Sequence, residues 1–156
     1  MEISLVAVGK LRPYYREAVD DYARRLRRYV TFREHEVREA SRAPTVGGQR
    51  LEEARRLEER ISDAGAFVAL AREGAPWSST ELAHQVERWL VSARPLSLVV
   101  GGSQGLDPAL LERATARWSL GPITLPHELA RVVAIEQLYR AFTILRGEPY
   151  HKGARS

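Results

Sequence analysis

Hydrophobic and polar positions follow two rhythms along this chain: short apolar runs, and longer stretches with an apolar residue every third or fourth position. Glu2–Val8 begins by alternating and turns fully apolar before Gly9, which predicts a buried strand. Pro13 suits the first turn of a helix reaching about Tyr29, with Tyr15, Val19, Tyr22 and Leu26 at helical spacing. Core packing explains that stripe better than a ligand role. Arg24, Arg25, Arg27 and Arg28 fit the solvated end of the helix, where cations complement its dipole. Thr31–Arg38 alternates weakly and is a second strand candidate. Ala40–Arg50, with Pro44, Gly47 and Gly48, has the composition of a loop.

Leu51–Ile61 predicts a charged helix with Leu51, Ala54, Leu57 and Ile61 inward. Ala66–Ala71 is a third buried strand, followed by a loop over Arg72–Trp77. Ser78 or Ser79 then caps a helix to about Val91, with Glu81 placed for a capping box. Leu96–Val100 is a fourth strand. Asp107-Pro108 opens a further helix, Asp as N-cap and Pro at its first position. Arg117–Leu120 is a short fifth strand and His127–Leu145 the last helix. Strands and helices in strict alternation imply an α/β fold, a mostly parallel sheet with helices on both faces.

The chain has 156 residues, enough for one domain over 1–156, and it has no Cys, which excludes disulfide and thiolate chemistry. No apolar stretch approaches the roughly 18 residues that would span a bilayer, so a soluble cytoplasmic protein is expected, with no membrane partner. Net charge is +4, which permits an anionic partner without requiring one. Lys10 and Lys152 are the sole lysines among 24 basic residues, and arginine offers planar bidentate contacts to phosphate. His35, His84, His127 and His151 are scattered, so no metal site is expected.

In an open α/β sheet, ligands bind beyond the carboxyl ends of the strands. Three loops stand there: Leu70–Gly74, Gly101–Leu106 and Leu120–His127. The Gly-Gly-Ser-Gln-Gly turn has neither dinucleotide spacing nor a P-loop Lys, and its glycines serve either a ligand or a hinge. Leu120–Pro126, with two prolines and a glycine, cannot be a regular strand. It is either a plain loop or a wall of free backbone groups for a flat ring such as adenine. His127 is better explained by capping or packing than by catalysis. Glu136 and Arg140 stand in the favourable i,i+4 order for a structural ion pair. The last helix is apolar on nearly every side, which points to burial in a dimer. Tyr150, His151 and Lys152 follow a Gly-Glu-Pro turn and, with Arg155, make a small basic tail.

Together, Leu-Val-Ala-Val-Gly-Lys at 5–10, Gly-Gly-Ser-Gln-Gly-Leu at 101–106, Trp-Ser-Leu…Thr-Leu-Pro-His at 118–127, Glu-Gln-Leu-Tyr-Arg-Ala at 136–141 and Pro-Tyr-His-Lys at 149–152 resemble the bacterial ribosomal RNA large subunit methyltransferase H family, of the SPOUT superfamily. The resemblance covers the whole chain. It implies a C-terminal trefoil knot and S-adenosylmethionine-dependent methylation of N3 of a pseudouridine in the helix 69 region of 23S rRNA, on assembled ribosomes. It implies a cofactor pocket lined by Leu70, Gly102, Leu120, Gly121, Pro122, Ile123, Thr124 and Leu125. It further implies a homodimer whose tails complete each other's sites. On that basis His151 is the candidate for proton handling, Tyr150 for contact with the base, and Lys152 and Arg155 for phosphate. Ser103-Gln104 departs from the Pro-Glu of many relatives, and the 40–50 loop lacks their lysines. Two other readings are a non-catalytic rRNA or ribosome-binding module with the same fold, and a structural oligomer with an empty cleft.

Overall fold

The computed structural model of the chain is described over residues 1–150. The chain alternates β1 (Glu2–Val8), α1 (Pro13–Leu26), β2 (Thr31–Val37), α2 (Val46–Glu58), β3 (Ala66–Ala75), α3 (Ser79–Ser92), β4 (Leu96–Val100), α4 (Pro108–Arg113), β5 (Ala116–Trp118) and α5 (His127–Leu145). The five strands form one sheet in the order β2-β1-β4-β3-β5, every pair parallel.

Alternating side chains supply two cores. Ile3, Leu5 and Ala7 of β1 and Leu96, Leu98 and Val100 of β4 face α1, α3 and α5. Val6, Val8 and Val99 face the other way, onto Ala54 and Leu57 of α2 and Leu110 of α4. The molecule is therefore a sheet between two helical layers, with both faces of its central strands dry. This explains why β1 and β4 are apolar runs rather than clean alternations.

Several boundaries differ from the sequence expectation. Helix α1 stops at Leu26 rather than near Tyr29, because a turn with Tyr29 and Val30 bonded back to the Leu26 carbonyl starts β2 beside β1. Helix α2 begins at Val46, inside the expected 40–50 loop. Thr45 caps it by accepting from the Gly48 N–H at 3.0 Å, so Gly47 and Gly48 lie in its first turn. On α2, Leu51 is 47% exposed while Glu53 is 2% exposed. Glu53 accepts from the Ala40 N–H and the Gln49 amide, both at 3.0 Å, and so holds the preceding loop.

Strand β3 runs to Ala75, through the expected 72–77 loop. Its pairing with β5 shifts register between Leu70 and Ala75, both opposite Trp118. Gly74 permits this irregularity, since a Cβ there would lie 2.6 Å from the Arg117 backbone. Strand β5 is correspondingly shorter and earlier than expected. The predicted caps of α3 and α4 are present: Ser78 and Glu81 form a full capping box, and Asp107 accepts from the Ala109 and Leu110 N–H groups.

Candidate active site

The helices that come after β3 and β4 leave for opposite faces of the sheet: α3 packs in one core and α4 in the other. Such a divergence opens a crevice at the carboxyl ends of the two strands. A cleft of about 700 Å³ lies there, within the size range of small-molecule sites. One wall is Leu70–Glu73, another Gly102–Leu106, a third Thr124–His127. A smaller recess of about 160 Å³ adjoins it, bounded by Leu70, Leu120, Gly121, Ile123, Thr124 and Leu125. Of the eight positions assigned to a cofactor by resemblance, seven border these two spaces; Pro122 borders neither.

The glycine turn is fixed from several sides. Gly105, at φ +77°, donates its N–H to the Gly102 carbonyl at 3.1 Å. Arg50 reaches over from α2 and donates Nε to the Gln104 carbonyl at 2.6 Å. A Cβ on Gly102 would stand 3.0 Å from the Val8 side chain, so this glycine serves close packing of the turn on β1. The 120–126 segment is irregular, with Gly121 at φ +105° and its N–H satisfied by Ser119 Oγ at 3.1 Å. Among the described residues, the N–H groups of Ile123, Thr124 and Leu125 have no protein acceptor. Free amides beside leucines suit a flat heteroaromatic ring whose edge must be hydrogen-bonded.

His127 is the first residue of α5 and lines the cleft; of the capping or packing role expected of it, no capping hydrogen bond is present among the described residues. Arg50 and Arg72 also line the cleft, and Arg72 reaches Thr124 Oγ1 at 3.4 Å. Neither arginine stood out in the sequence, because nothing local marks an arginine whose target lies more than fifty residues away.

Tyr150 stands elsewhere. Its hydroxyl donates to Glu136 Oε2 at 2.8 Å, and its ring meets Tyr139 edge-on with Arg140 above it. Glu136 and Arg140 form the expected ion pair, at 2.8 Å. Burial, with hydrogen bonds to Tyr22 and Glu136, pushes the Tyr150 phenol well above its ordinary value, so it keeps its proton. Glu136 lies nine residues along α5 from His127, a rise of about 13 Å. Tyr150 thus borders neither space of its own chain's cleft. His151, Lys152 and Arg155 lie outside the described residues.

A buried polar cluster secures the start of α5. Arg131 is fully buried and donates to the Gly9 carbonyl at 3.0 Å, to Glu34 at 2.8 Å and to Glu36 at 2.6 Å. Arg16 grips the same two glutamates at 2.6 and 2.9 Å. One turn earlier, Glu128 accepts from the Arg12 N–H at 2.6 Å. These bonds tie α5 to the ends of β1 and β2 and fix where Pro126 and His127 meet the cleft.

Among the described residues there is no cluster of His, Cys, Asp or Glu suited to a metal, and no helix long and apolar enough to cross a membrane. The family model described as predicted SPOUT methyltransferase matches residues 1–151. The ribosomal RNA large subunit methyltransferase H of Rubrobacter xylanophilus is 51% identical over 152 residues, covering 95% of this chain and 96% of its own. That of Anaeromyxobacter sp. is 46% identical over 153 residues, covering 97% and 100%. Among solved structures, a probable methyltransferase from Bordetella pertussis Tohama I superposes with a TM-score of 0.54 at 20% identity, over 89% of this chain and 95% of that one, a likeness of fold. A parallel sheet whose diverging crossovers open a cleft, and near-full-length relatives at this identity, give one conclusion: the chain belongs to the ribosomal RNA large subunit methyltransferase H family of SPOUT methyltransferases.

Proposed function

We propose that this enzyme, one domain over 1–156, methylates N3 of a pseudouridine in the helix 69 region of 23S rRNA. It uses S-adenosylmethionine, works on assembled ribosomes in the cytoplasm, and acts as a homodimer with a C-terminal trefoil knot. The observation that carries the reading is the convergence of the 70–73 stretch of β3, the turn after β4 and the segment after β5 on one cleft, where, among the described residues, the amides of Ile123, Thr124 and Leu125 have no protein acceptor.

When bound, S-adenosylmethionine would supply a sulfonium methyl carbon, which passes to N3 as its bond to sulfur breaks and the N3 proton leaves. The protein's part is to hold the reacting atoms in line, where positioning alone supplies much of the rate. Leu70 and the 120–125 segment other than Pro122 would hold the adenine moiety, with the Gly102 turn, fixed by Arg50, as the facing wall. The tail acts in trans. His151 takes the N3 proton, since imidazole titrates near neutrality. Tyr150, whose own proton goes to Glu136, contacts the base by stacking or by accepting a hydrogen bond, and Lys152 and Arg155 hold phosphate. Two observations favour the dimer. Tyr150 borders neither space of its own cleft, and α5 leaves the apolar Leu129 and Val133 half-covered in the single chain.

The test is a thermal shift with S-adenosylmethionine, followed by tritium-methyl transfer to ribosomes lacking the modification. Stabilisation by mass action and label in 23S rRNA are expected. Binding of ribosomes without transfer would replace this reading by a non-catalytic module. Mixing a His151→Ala chain with a chain disabled in its cofactor cleft should restore activity if the tail works across the dimer.

A further inference from the structure

At the amino ends of β1 and β2, the edge of the sheet opposite the cleft, Met1, Arg27, Arg28, Tyr29, Phe32 and Arg33 surround a groove of about 580 Å³. Arg146, just past α5, brings its guanidinium 5.4 Å from the centre of the Tyr29 ring, and Arg28 lies 5.9 Å from the same ring. Arg27 lies 5.8 Å from the Phe32 ring centre and donates Nε to the Phe32 carbonyl at 3.2 Å. Arg28 also reaches the Tyr139 hydroxyl at 3.4 Å. All three arginines are exposed, and none pairs with a carboxylate among the described residues. Their neighbours differ: Arg24 and Arg25 share Asp21, and Arg33 lies 3.6 Å from Glu2. The nearby Glu148 accepts the Tyr29 hydroxyl at 2.6 Å.

These guanidiniums are held by rings and a carbonyl rather than by acids. They are oriented in advance, their remaining N–H groups have no protein acceptor among the described residues, and three like charges gather on one edge of the molecule. A planar, weakly hydrated cation so placed suits a bidentate contact to phosphate. The seven residues of β1, at about 3.3 Å each, put this edge about 20 Å from the cleft. A small anion cannot occupy both places; a polyanionic strand can.

We propose that this arginine edge is a second RNA-docking surface, which grips the phosphodiester backbone of the ribosomal RNA remote from the reacting base. The inference rests on the reading of the chain as an rRNA methyltransferase. The test combines Arg27→Gln, Arg28→Gln and Arg146→Gln. Binding to ribosomal particles is titrated over a range of salt, beside the S-adenosylmethionine thermal shift. About one unit of salt slope should be lost per phosphate contact removed, with affinity down about tenfold or more. KM for ribosomes should rise while kcat and the thermal shift hold. Lysine at the same three positions should keep most of the slope. If the triple variant folds poorly, the single glutamine variants should each lose about one unit. An unchanged slope in a variant that melts like the wild type overturns the proposal. So does an unchanged slope with a shift to monomer in sedimentation, which would assign the edge to a second copy of the chain. The binding arm does not depend on methyl transfer, so loss of the catalytic reading would not be confused with loss of this one.

Discussion

Arg131 concentrates the consequences of burying one charge. Its guanidinium is enclosed and answered by Glu34, Glu36 and the Gly9 carbonyl. Breaking such a set costs more than the pair is worth, because two glutamates are left facing each other with only Arg16 to answer them. Arg131→Met should lower the unfolding free energy by about 3 kcal/mol in urea titrations. Gly74→Ala asks Arg117 to retreat from a 2.6 Å approach and should cost about 1–3 kcal/mol, the usual range for overpacking. Arg50→Ala should leave the melting temperature nearly unchanged but weaken S-adenosylmethionine binding by calorimetry, because it frees the Gln104 carbonyl and with it the turn. None of these three roles shows locally in sequence. Arg131 sits in an apolar helix like a misplaced charge, and its partners are nearly a hundred residues earlier.

Helices and strands were legible where local chemistry decided them. The Ser78–Glu81 box and the Asp107-Pro108 start are side-chain devices that act within three residues, and both are present. Ser78→Ala should cost about 1 kcal/mol, measured by thermal or urea unfolding. Boundaries failed where tertiary packing overrode propensity. Two glycines argued for a loop at 47 and 48, yet Thr45 caps them into α2 because the buried Glu53 needs that turn to reach the Ala40 N–H. Arg72–Ala75 carried loop residues, yet β5 pairs along it through a bulge. Two of the three cleft walls, 101–106 and 120–127, were foreseen as loops at strand ends, whereas the third, 70–74, lies within β3. That they share one cleft depends on strand order, which no window of sequence contains.

Acid and alkali should loosen the molecule through different groups. Burial raises the Glu34 carboxyl, but hydrogen bonds from Arg16 and Arg131 outweigh it and hold it below the ordinary 4.5. A folded value below the unfolded one stabilises fully above pH 4.5, and that contribution disappears as pH falls through the folded value. Glu34→Gln should therefore flatten the acid limb of a stability–pH profile. Burial, with the bond to Glu148, pushes the Tyr29 phenol up from 10.0 to about 12. Its contribution is complete below pH 10 and fades between there and pH 12, a loss that Tyr29→Phe should remove.

The strand order has a further consequence, in time rather than space. Among the described residues, strand β4 is the only partner β1 has besides β2, and the only partner β3 has besides β5. During synthesis the β1–β2 unit and β3 emerge with no seam between them, each showing an unpaired edge that invites aggregation. The five apolar-rich residues of Leu96–Val100 then join the halves in one step. A nascent chain stopped before Leu96 should be open to protease throughout, whereas one that has released β4, α4, β5 and α5 should become resistant abruptly. A member of a family that methylates ribosomal RNA would thus depend, for its own sheet, on how long a ribosome withholds its fourth strand.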